Sequence, residues 1–326
     1  MSSEKFNLLF WIDMKQIIGI ENIKTPLEKT VLTIGNFDGV HLGHQLLFAR
    51  VIETAKKIKG ISAAMTFEPH PMKVLQPDGC PFPLITLYEQ KLELLEKTGL
   101  DVLIVIPFDF EFANISAKNF VHDILIDRIG TKAIVIGNDY CFGKKREGNV
   151  KLLKQYGNEF GFDVHVVPWK PAGKDLESRI SSTAIRSAVS SGNLDKAKQM
   201  LGRYYQVRGT VKKGRNRGGK MVGFPTANLQ LFDELKPLNG VYAVDVVLDN
   251  NSYFGVANIG FSPTFDDQQY TLEIHLLDFL ENIYGKKICV NFIKRLRGEK
   301  KFSSIDALSA QIECDIMDAR KIFNSL

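Results

Sequence analysis

Thr33-Ile34-Gly35-Asn36-Phe37-Asp38-Gly39-Val40-His41-Leu42-Gly43-His44 runs an apolar strand into a glycine-lined turn and then opens a helix carrying two histidines. Val31 to Ile34 read as a buried strand. Gln45 to Lys57, with Leu46, Leu47, Val51, Ile52 and Ala55 at helical spacing, read as an amphipathic helix. His41 and His44 therefore share one face of its first turn, where free backbone N–H groups and the positive end of the helix dipole favour an anion. Two imidazoles add donors there, and Gly39 and Gly43 let the backbone approach a ligand that a side chain would push away. The segment reads as a device for holding a nucleotide's phosphates. The plainer alternative is a tight βα turn with solvated histidines; the sequence of strand, turn and helix favours the phosphate reading.

Outward from this stretch, strand and helix patterns alternate as far as Pro168. Strands are expected near Ala63 to Phe67, Val102 to Pro107, Ala133 to Gly137 and Val164 to Pro168, with helices at Tyr88 to Lys97, Ala117 to Arg128 and Val150 to Phe160. Such alternation implies a parallel sheet covered on both faces, with ligands at the carboxyl ends of its strands. Phe67-Glu68-Pro69-His70-Pro71 lies at one such end. Two short helices follow, at Thr183 to Ser190 and Leu194 to Leu201. After Gly202 the period changes: Gln206 to Val211, Val241 to Leu248, Tyr253 to Ile259, Tyr270 to Leu277 and Lys287 to Phe292 read as strands of an antiparallel sheet or barrel. A last helix runs from Ser304 to Phe323. The expected architecture is a Rossmann-like α/β domain followed by a small antiparallel β-barrel with a C-terminal helix, the two meeting near Leu201 to Tyr205.

The 326 residues favour two domains with sizeable cores. A net charge of +5 spread along the chain, concentrated only in Lys212 to Lys220, does not imply nucleic acid. The four cysteines, Cys80, Cys141, Cys289 and Cys314, are far apart and lack zinc spacing, which points to reduced thiols and a cytoplasmic location. Apolar runs are strand-sized and no signal peptide is visible. Met14-Lys15-Gln16-Ile17-Ile18 looks like an alternative start, so residues before Met14 are expected to be dispensable.

Arg179-Ile180-Ser181-Ser182-Thr183-Ala184-Ile185-Arg186 enters a helix and brings hydroxyls and two arginines to another N-terminus, a second anion clamp; a plain helix cap needs no flanking arginines. Two clamps suit a triphosphate attacked at its α-phosphate while pyrophosphate leaves. Further on, Gly214-Arg215-Asn216-Arg217-Gly218-Gly219-Lys220 has the spacing of a P-loop, but Met221 replaces the hydroxyl residue and Pro225 soon follows, so that reading is rejected. In Gly223-Phe224-Pro225-Thr226-Ala227-Asn228-Leu229, the Thr226 hydroxyl and the Asn228 amide beside a basic glycine-rich loop suit Mg²⁺ and phosphate oxygens, against a β-turn as the plain alternative. Glu273 lies mid-strand; strict alternation puts it on one face with Thr271 and His275, while Leu272, Ile274 and Leu276 face the core.

Taken together, the chain from Met14 onward resembles the bacterial bifunctional riboflavin kinase/FAD synthetase family. The resemblance rests on the opening stretch, Phe67-Glu68-Pro69-His70-Pro71, Gly137-Asn138-Asp139-Tyr140-Cys141-Phe142-Gly143, Ile180 to Arg186, Leu201 to Tyr205, Gly223 to Leu229, Asn239 to Val244, Asn258 to Phe265, Leu272 to Phe279 and Arg297 to Phe302. It implies an FMN adenylyltransferase of the nucleotidyltransferase type over 14–202 and a riboflavin kinase over 203–326. In the first domain it implies ATP contacts at Gly35, Phe37, Gly39, His41, Gly43, His44, Arg179, Ser181, Ser182, Thr183 and Arg186, with His41 and His44 catalytic, and FMN contacts at Phe67, Pro69, His70, Asp139 and Phe142. In the second it implies ATP contacts at Gly214, Lys220, Gly223, Pro225 and Thr226, Mg²⁺ at Thr226 and Asn228, flavin at Arg297, and Glu273 as catalytic base. Riboflavin, FMN and ATP are the expected small-molecule partners, without nucleic acid or membrane. Three departures stand out: Cys141 where the family usually has Arg, Tyr204 where it has Pro, and Gly219-Lys220-Met221-Val222-Gly223 where it has Gly-Arg-x-Leu-Gly.

Riboflavin's 5′-hydroxyl, about as weakly acidic as bulk water, profits from a carboxylate base, whereas FMN's phosphate is already an anion and needs only charge stabilisation around the phosphates. A flavin or nicotinamide oxidoreductase is disfavoured by the lack of G-x-G-x-x-G. A nucleic-acid module lacks a stacking platform and a dense basic face. A flavin carrier has no use for the Thr226, Asn228 and Glu273 set; a chain keeping only one of the two activities is the remaining alternative.

Overall fold

The computed structural model describes residues 14–76, 82–168, 179–212, 224–231, 233–262 and 269–326. Contacts divide the chain into two compact units, residues up to 82 with 88–170, and residues 83–87 with 171–326.

The first unit is built on a six-stranded parallel sheet of β1 (Lys15–Ile18), β2 (Thr30–Ile34), β3 (Ser62–Glu68), β4 (Val102–Pro107), β5 (Thr131–Gly137) and β8 (Asp163–Val167), in the order β1-β4-β3-β2-β5-β8. Every residue of β2 is buried, as a central strand covered on both faces requires. Successive residues feed opposite cores: Leu32 and Ile34 pack with Met65, Ile104 and Ile134, while Val31 packs with Phe48, Val51, Leu95 and Leu103. The covering helices are α1 (Leu42–Ile58), α2 (Pro71–Leu75), α3 (Tyr88–Glu96), α4 (Phe110–Ala113), α5 (Ala117–Asn119) and α6 (Val150–Phe160), and the two-residue strands β6 (Cys141–Phe142) and β7 (Gly148–Asn149) pair as a small antiparallel hairpin. From β2 the sheet grows through β3 and β4 on one side and through β5 and β8 on the other. The point of reversal, where such sheets bind ligands, therefore lies between β2 and β5.

Two features depart from expectation. β1 adds an edge strand by pairing in parallel with β4. The helix expected over Ala117 to Arg128 is α-helical only to Asn119 and continues as a π-helix over Phe120–Arg128. Its buried residues Phe120, Val121, Ile124 and Leu125, followed by Ile129, recur at four to five positions, which the wider i→i+5 turn keeps on one face.

In the second unit, β9 (Tyr205–Thr210), β10 (Ala227–Gln230), β11 (Gly240–Leu248), β12 (Asn251–Ser262), β13 (Gln269–Leu276) and β14 (Lys287–Arg297) form an antiparallel sheet ordered β10-β13-β12-β11-β14-β9. Just beyond β9, Lys212 N–H donates to the Asn228 carbonyl at 2.8 Å, so the two edges of the curled sheet meet at one bridge, as a barrel requires. Asp249 and Asn250, at φ 49° and 66°, make the tight turn between β11 and β12. The C-terminal helix, Ile305–Phe323, covers one face through Ala319 and Phe323, which pack with Val241, Val256 and Ile293. Helices α7 (Ser182–Ser190) and α8 (Leu194–Leu201) belong to this unit by contact, α8 lying against β9 and β14.

Candidate active sites

The first site forms where β2 ends. Gly35 N–H still donates to Met65 of β3 at 3.0 Å, and the chain then turns sharply. Phe37, Gly39 and Val40 have φ of 49°, 86° and 40°. A β-branched residue at positive φ is strained, on the order of 1–3 kcal/mol, and persists only where packing fixes it. Phe37 and Val40 are both 1% exposed, and the Phe37 ring lies edge-on to Phe48 at 4.8 Å. A Cβ on Gly35 would come within 2.9 Å of that ring. This packing holds the strained turn from which the first helix starts.

His41 is the N-cap of α1: its Nδ1 accepts the His44 backbone N–H at 3.3 Å, leaving Nε2 to carry the proton of the neutral ring. One imidazole nitrogen thus serves as the cap of the helix. The two imidazoles stack at 3.5 Å, and Phe37 meets His44 edge-on at 5.3 Å. His44 Nδ1 is buried without a hydrogen-bond partner. Burial, with the neighbouring His41 imidazole as a smaller cause, holds its pKa well below the usual histidine value, so His44 is neutral at pH 7.

β3 ends beside this turn. Phe67 meets Phe108 at 5.6 Å and Phe112 at 5.9 Å. His70 is 6% exposed, caps α2 by accepting the Met72 N–H at 3.1 Å, and stacks on Phe82 at 4.5 Å. On the other side of β2, beyond β5, Asp139 and Cys141 are exposed and Phe142 is buried against Tyr140 and Phe120. Phe67, His70 and Asp139 thus stand at the carboxyl edge that carries the histidines, whereas Phe142 supports it from the core. Sequence reading missed Phe108 and Phe112. The aromatic run Phe108-Asp109-Phe110-Glu111-Phe112 directly after β4 was the available signal. It also missed Lys91, a buried ammonium from α3 whose Nζ reaches the Phe67 carbonyl at 3.2 Å.

The second clamp belongs by contact with the antiparallel sheet. Ser181 caps α7, its Oγ accepting Ala184 N–H at 3.2 Å, while Ser182 and Thr183 open the helix. Ile180 and Ile185 anchor it in the core, and Arg186 Nε donates to the Pro83 carbonyl at 3.0 Å. Arg179 is exposed.

In the antiparallel sheet, Asn228 of β10, Glu273 of β13 and Asn258 of β12 are direct partners across three strands, so they form one polar row. Leu272, Ile274 and Leu276 are buried on the opposite face, in the alternation the sequence implies. Glu273 is reached by solvent, yet surrounding protein raises its pKa through desolvation. His275, two residues on, donates from Nδ1 to the Pro225 carbonyl at 2.9 Å and meets the Phe224 ring edge-on at 5.3 Å. It ties the Phe224-Pro225-Thr226 segment to the strand carrying Glu273. Asn228 Nδ2 donates to the Thr226 carbonyl at 3.5 Å, which turns its Oδ1 away. A Thr hydroxyl, an amide oxygen and a carboxylate are hard donors that fit Mg²⁺. Asn228, expected beside a basic glycine-rich loop, sits on β10, which fixes it opposite Glu273.

Arg297 makes a two-pronged pair with Asp315 of the C-terminal helix, Nε to Oδ1 at 2.8 Å and Nη2 to Oδ2 at 2.7 Å, and Nη1 donates to the Gly298 carbonyl at 2.9 Å. Tyr204, a departure from the family, lies under the Lys198 ammonium at 3.9 Å. The kinase contacts expected at Gly214, Lys220 and Gly223 lie outside the described residues.

A family model for FAD synthetase matches residues 23–184, and one for riboflavin kinase matches residues 201–323. The chain is 41% identical over 312 residues to the bifunctional riboflavin kinase/FMN adenylyltransferase of Escherichia coli strain K12, covering 95% of this chain and 98% of that protein. The protein of that name in Haemophilus influenzae is 41% identical over 96% of this chain and 100% of its own length. Among solved structures, one described as a macrolide-efflux protein from Streptococcus pneumoniae matches with a TM-score of 0.84 and 34% identity, over 95% of this chain and 99% of that one.

Proposed function

The chain belongs to the bifunctional riboflavin kinase/FMN adenylyltransferase family, and from that premise we propose how its residues divide the two reactions. It is both a riboflavin kinase and an FMN adenylyltransferase. ATP phosphorylates riboflavin to FMN within 203–326, and FMN attacks the α-phosphate of a second ATP within 14–202, forming one P–O bond as pyrophosphate departs with the other.

For the kinase, the carrying observation is the Asn228–Glu273–Asn258 row. Glu273 takes the 5′-hydroxyl proton as the oxygen attacks the γ-phosphate; burial that raises its pKa makes it a stronger base. Thr226 and Asn228 would hold Mg²⁺, which supplies charge neutralisation of the phosphates. Pro225, with Gly214, Lys220 and Gly223, frames ATP. Arg297, braced by Asp315, orders the chain end that meets the flavin.

For the adenylyl step, His41 and the neutral His44 at the start of α1 stabilise charge on the α-phosphate and on departing pyrophosphate, helped by Gly35, Phe37, Gly39 and Gly43 of the turn. Arg179, Ser181, Ser182, Thr183 and Arg186 supply the second clamp. Phe67, Pro69, His70, Asp139 and Phe142 shape the FMN side. FMN brings no proton to remove, so this site needs no base.

No described helix is long and apolar enough to cross a membrane. The free thiols of Cys141 and Cys314 support a cytoplasmic enzyme. Incubation with riboflavin, ATP and MgCl₂, followed chromatographically, should show FMN and then FAD. Flavin that stays bound but unconverted would make the chain a carrier, and FMN as end product would leave one activity.

A further inference from the structure

Pro225 and Thr226 reach β10 from outside its ladder. The pairing of β10 with β13 ends at Ala227 opposite Ile274, and Pro225 has no N–H with which to extend it. The backbone just before the strand is held by side chains instead. His275 of β13 donates from Nδ1 to the Pro225 carbonyl at 2.9 Å, and Asn228 Nδ2 donates to the Thr226 carbonyl at 3.5 Å. The first bond has the ordinary length and the second is at the long limit, so His275 is the firmer tether.

These two carbonyls flank Thr226. One belongs to the peptide plane before it and the other to the plane after it. With both planes held, φ and ψ of Thr226 are set, and with them the direction in which its Cα–Cβ bond carries the hydroxyl. Glu273, two residues before His275 on the same strand, shares its face. The imidazole therefore links the residue that offers a hydroxyl to the phosphates with the strand that carries the base. A histidine serving only to pack against Phe224, whose ring it meets edge-on at 5.3 Å, needs no particular nitrogen. A carbonyl can only accept, so the neutral ring carries its proton on Nδ1.

We propose that His275 is a positioning residue of the kinase site: through the bond from its Nδ1–H to the Pro225 carbonyl, it sets the Thr226 hydroxyl relative to Glu273. The proposal rests on the reading of Thr226, Asn228 and Glu273 as that site. His275 acts through the backbone, not on the substrate.

The test uses the full chain and two complementary variants. His275→Phe keeps a ring against Phe224 and removes the donor; His275→Asn removes the ring and keeps an N–H at the same bond distance from the backbone. His275→Phe should lower kcat/KM for riboflavin phosphorylation on the order of a hundredfold, as misplacement of a site by about an ångström does, with much of the loss in the KM for ATP. Calorimetric binding of MgADP, which needs no turnover, should weaken with it. His275→Asn should keep both near the parent, and adenylation of supplied FMN should be unchanged in either variant. A histidine that serves packing alone gives the reverse order, His275→Phe sound and His275→Asn impaired, and that result overturns the proposal. So does a folded His275→Phe protein with parental kinetics and MgADP binding. If His275→Phe does not fold, nitrogen NMR of the parent decides together with His275→Asn: a ring proton on Nδ1 and a parental KM for ATP in the Asn variant support the proposal, and a ring proton on Nε2 overturns it. A Glu273→Gln protein that phosphorylates riboflavin at the parental rate would instead remove the reading of the kinase site itself.

Discussion

Glu273 owes its position to strand alternation and its basicity to the protein crowded around it. Leu272 and Ile274 are completely buried on the core face, so the carboxylate between them must emerge on the other, opposite Asn228 and Asn258. Glu273→Gln keeps the size and removes the basic oxygen. FMN formation should then fall by roughly a hundred- to ten-thousand-fold, while the KM for ATP changes little. The base works only when ionised, and desolvation raises its pKa above the ordinary 4.5. The kinase rate should therefore be lost as pH falls through that raised value, and this acid limb should vanish in Glu273→Gln; a Gln variant with the parental rate refutes the assignment. His44 carries the opposite sign. Its folded pKa is depressed well below 6.5, first by burial and then by His41. The unfolded chain takes up that proton near 6.5, so the stabilising difference is complete above this pH and declines as pH falls below it. The melting temperature of the parent should drop more steeply between pH 8 and 5 than that of His44→Gln. Parallel curves would show that His44 protonates freely in the folded protein.

At the scale of elements, the pair that fastens the C-terminal helix to β14 is the clearest test of packing. Arg297 and Asp315 are 16% and 6% exposed in their side chains, with two parallel N–H to carboxylate contacts. Asp315→Ala strands a buried guanidinium and should destabilise the second unit by about 3–5 kcal/mol in urea unfolding, whereas Arg297→Ala with Asp315→Ala should cost less than the sum of the two changes. Strict additivity would mean that the groups do not act as a pair. Asp315 also shows what sequence reading could and could not reach. Period-two and period-3.6 patterns located the elements of both units because burial imposes those periods on the residues themselves. The Lys91 and Asp315 partnerships left no such trace: each joins a helix residue to a strand residue, and only the packing of helix on sheet brings them together. β10 was hidden by its four-residue length and by Pro225 just before it. The π-helix was hidden because an apolar stripe at four- to five-residue spacing resembles an α-helical one over so short a span. At the first site, the phosphate turn was legible through Gly39, Gly43 and the histidine spacing. The use of His41 Nδ1 as a cap was not, since a sequence does not say which ring nitrogen the helix takes.

For the whole molecule, the question is whether two chemistries in one chain are separable. The histidine-capped helix belongs to the parallel-sheet unit and the Asn228–Glu273–Asn258 row to the antiparallel one. Their demands differ too: an alcohol must lose a proton before it attacks, whereas a phosphate need only be brought against the α-phosphorus with the charge on both sides held. His41→Ala combined with His44→Ala removes two groups aimed at that charge, and losses of this kind are typically a hundredfold or more per group. FAD formation from FMN should fall below detection in the double variant. The His41 change also removes the N-cap of α1, worth about 1 kcal/mol, too little to unfold a unit with two buried cores. Riboflavin phosphorylation should proceed at the parental rate, so that FMN accumulates where the parent would carry it on to FAD. Accumulation is the decisive readout, because it demands a working kinase and a failed adenylyl step in the same molecules. A double variant that forms FAD normally places the adenylyl chemistry elsewhere. One that also loses phosphorylation while its melting profile is unchanged shows that the two activities depend on each other, against the division of labour drawn from the two units.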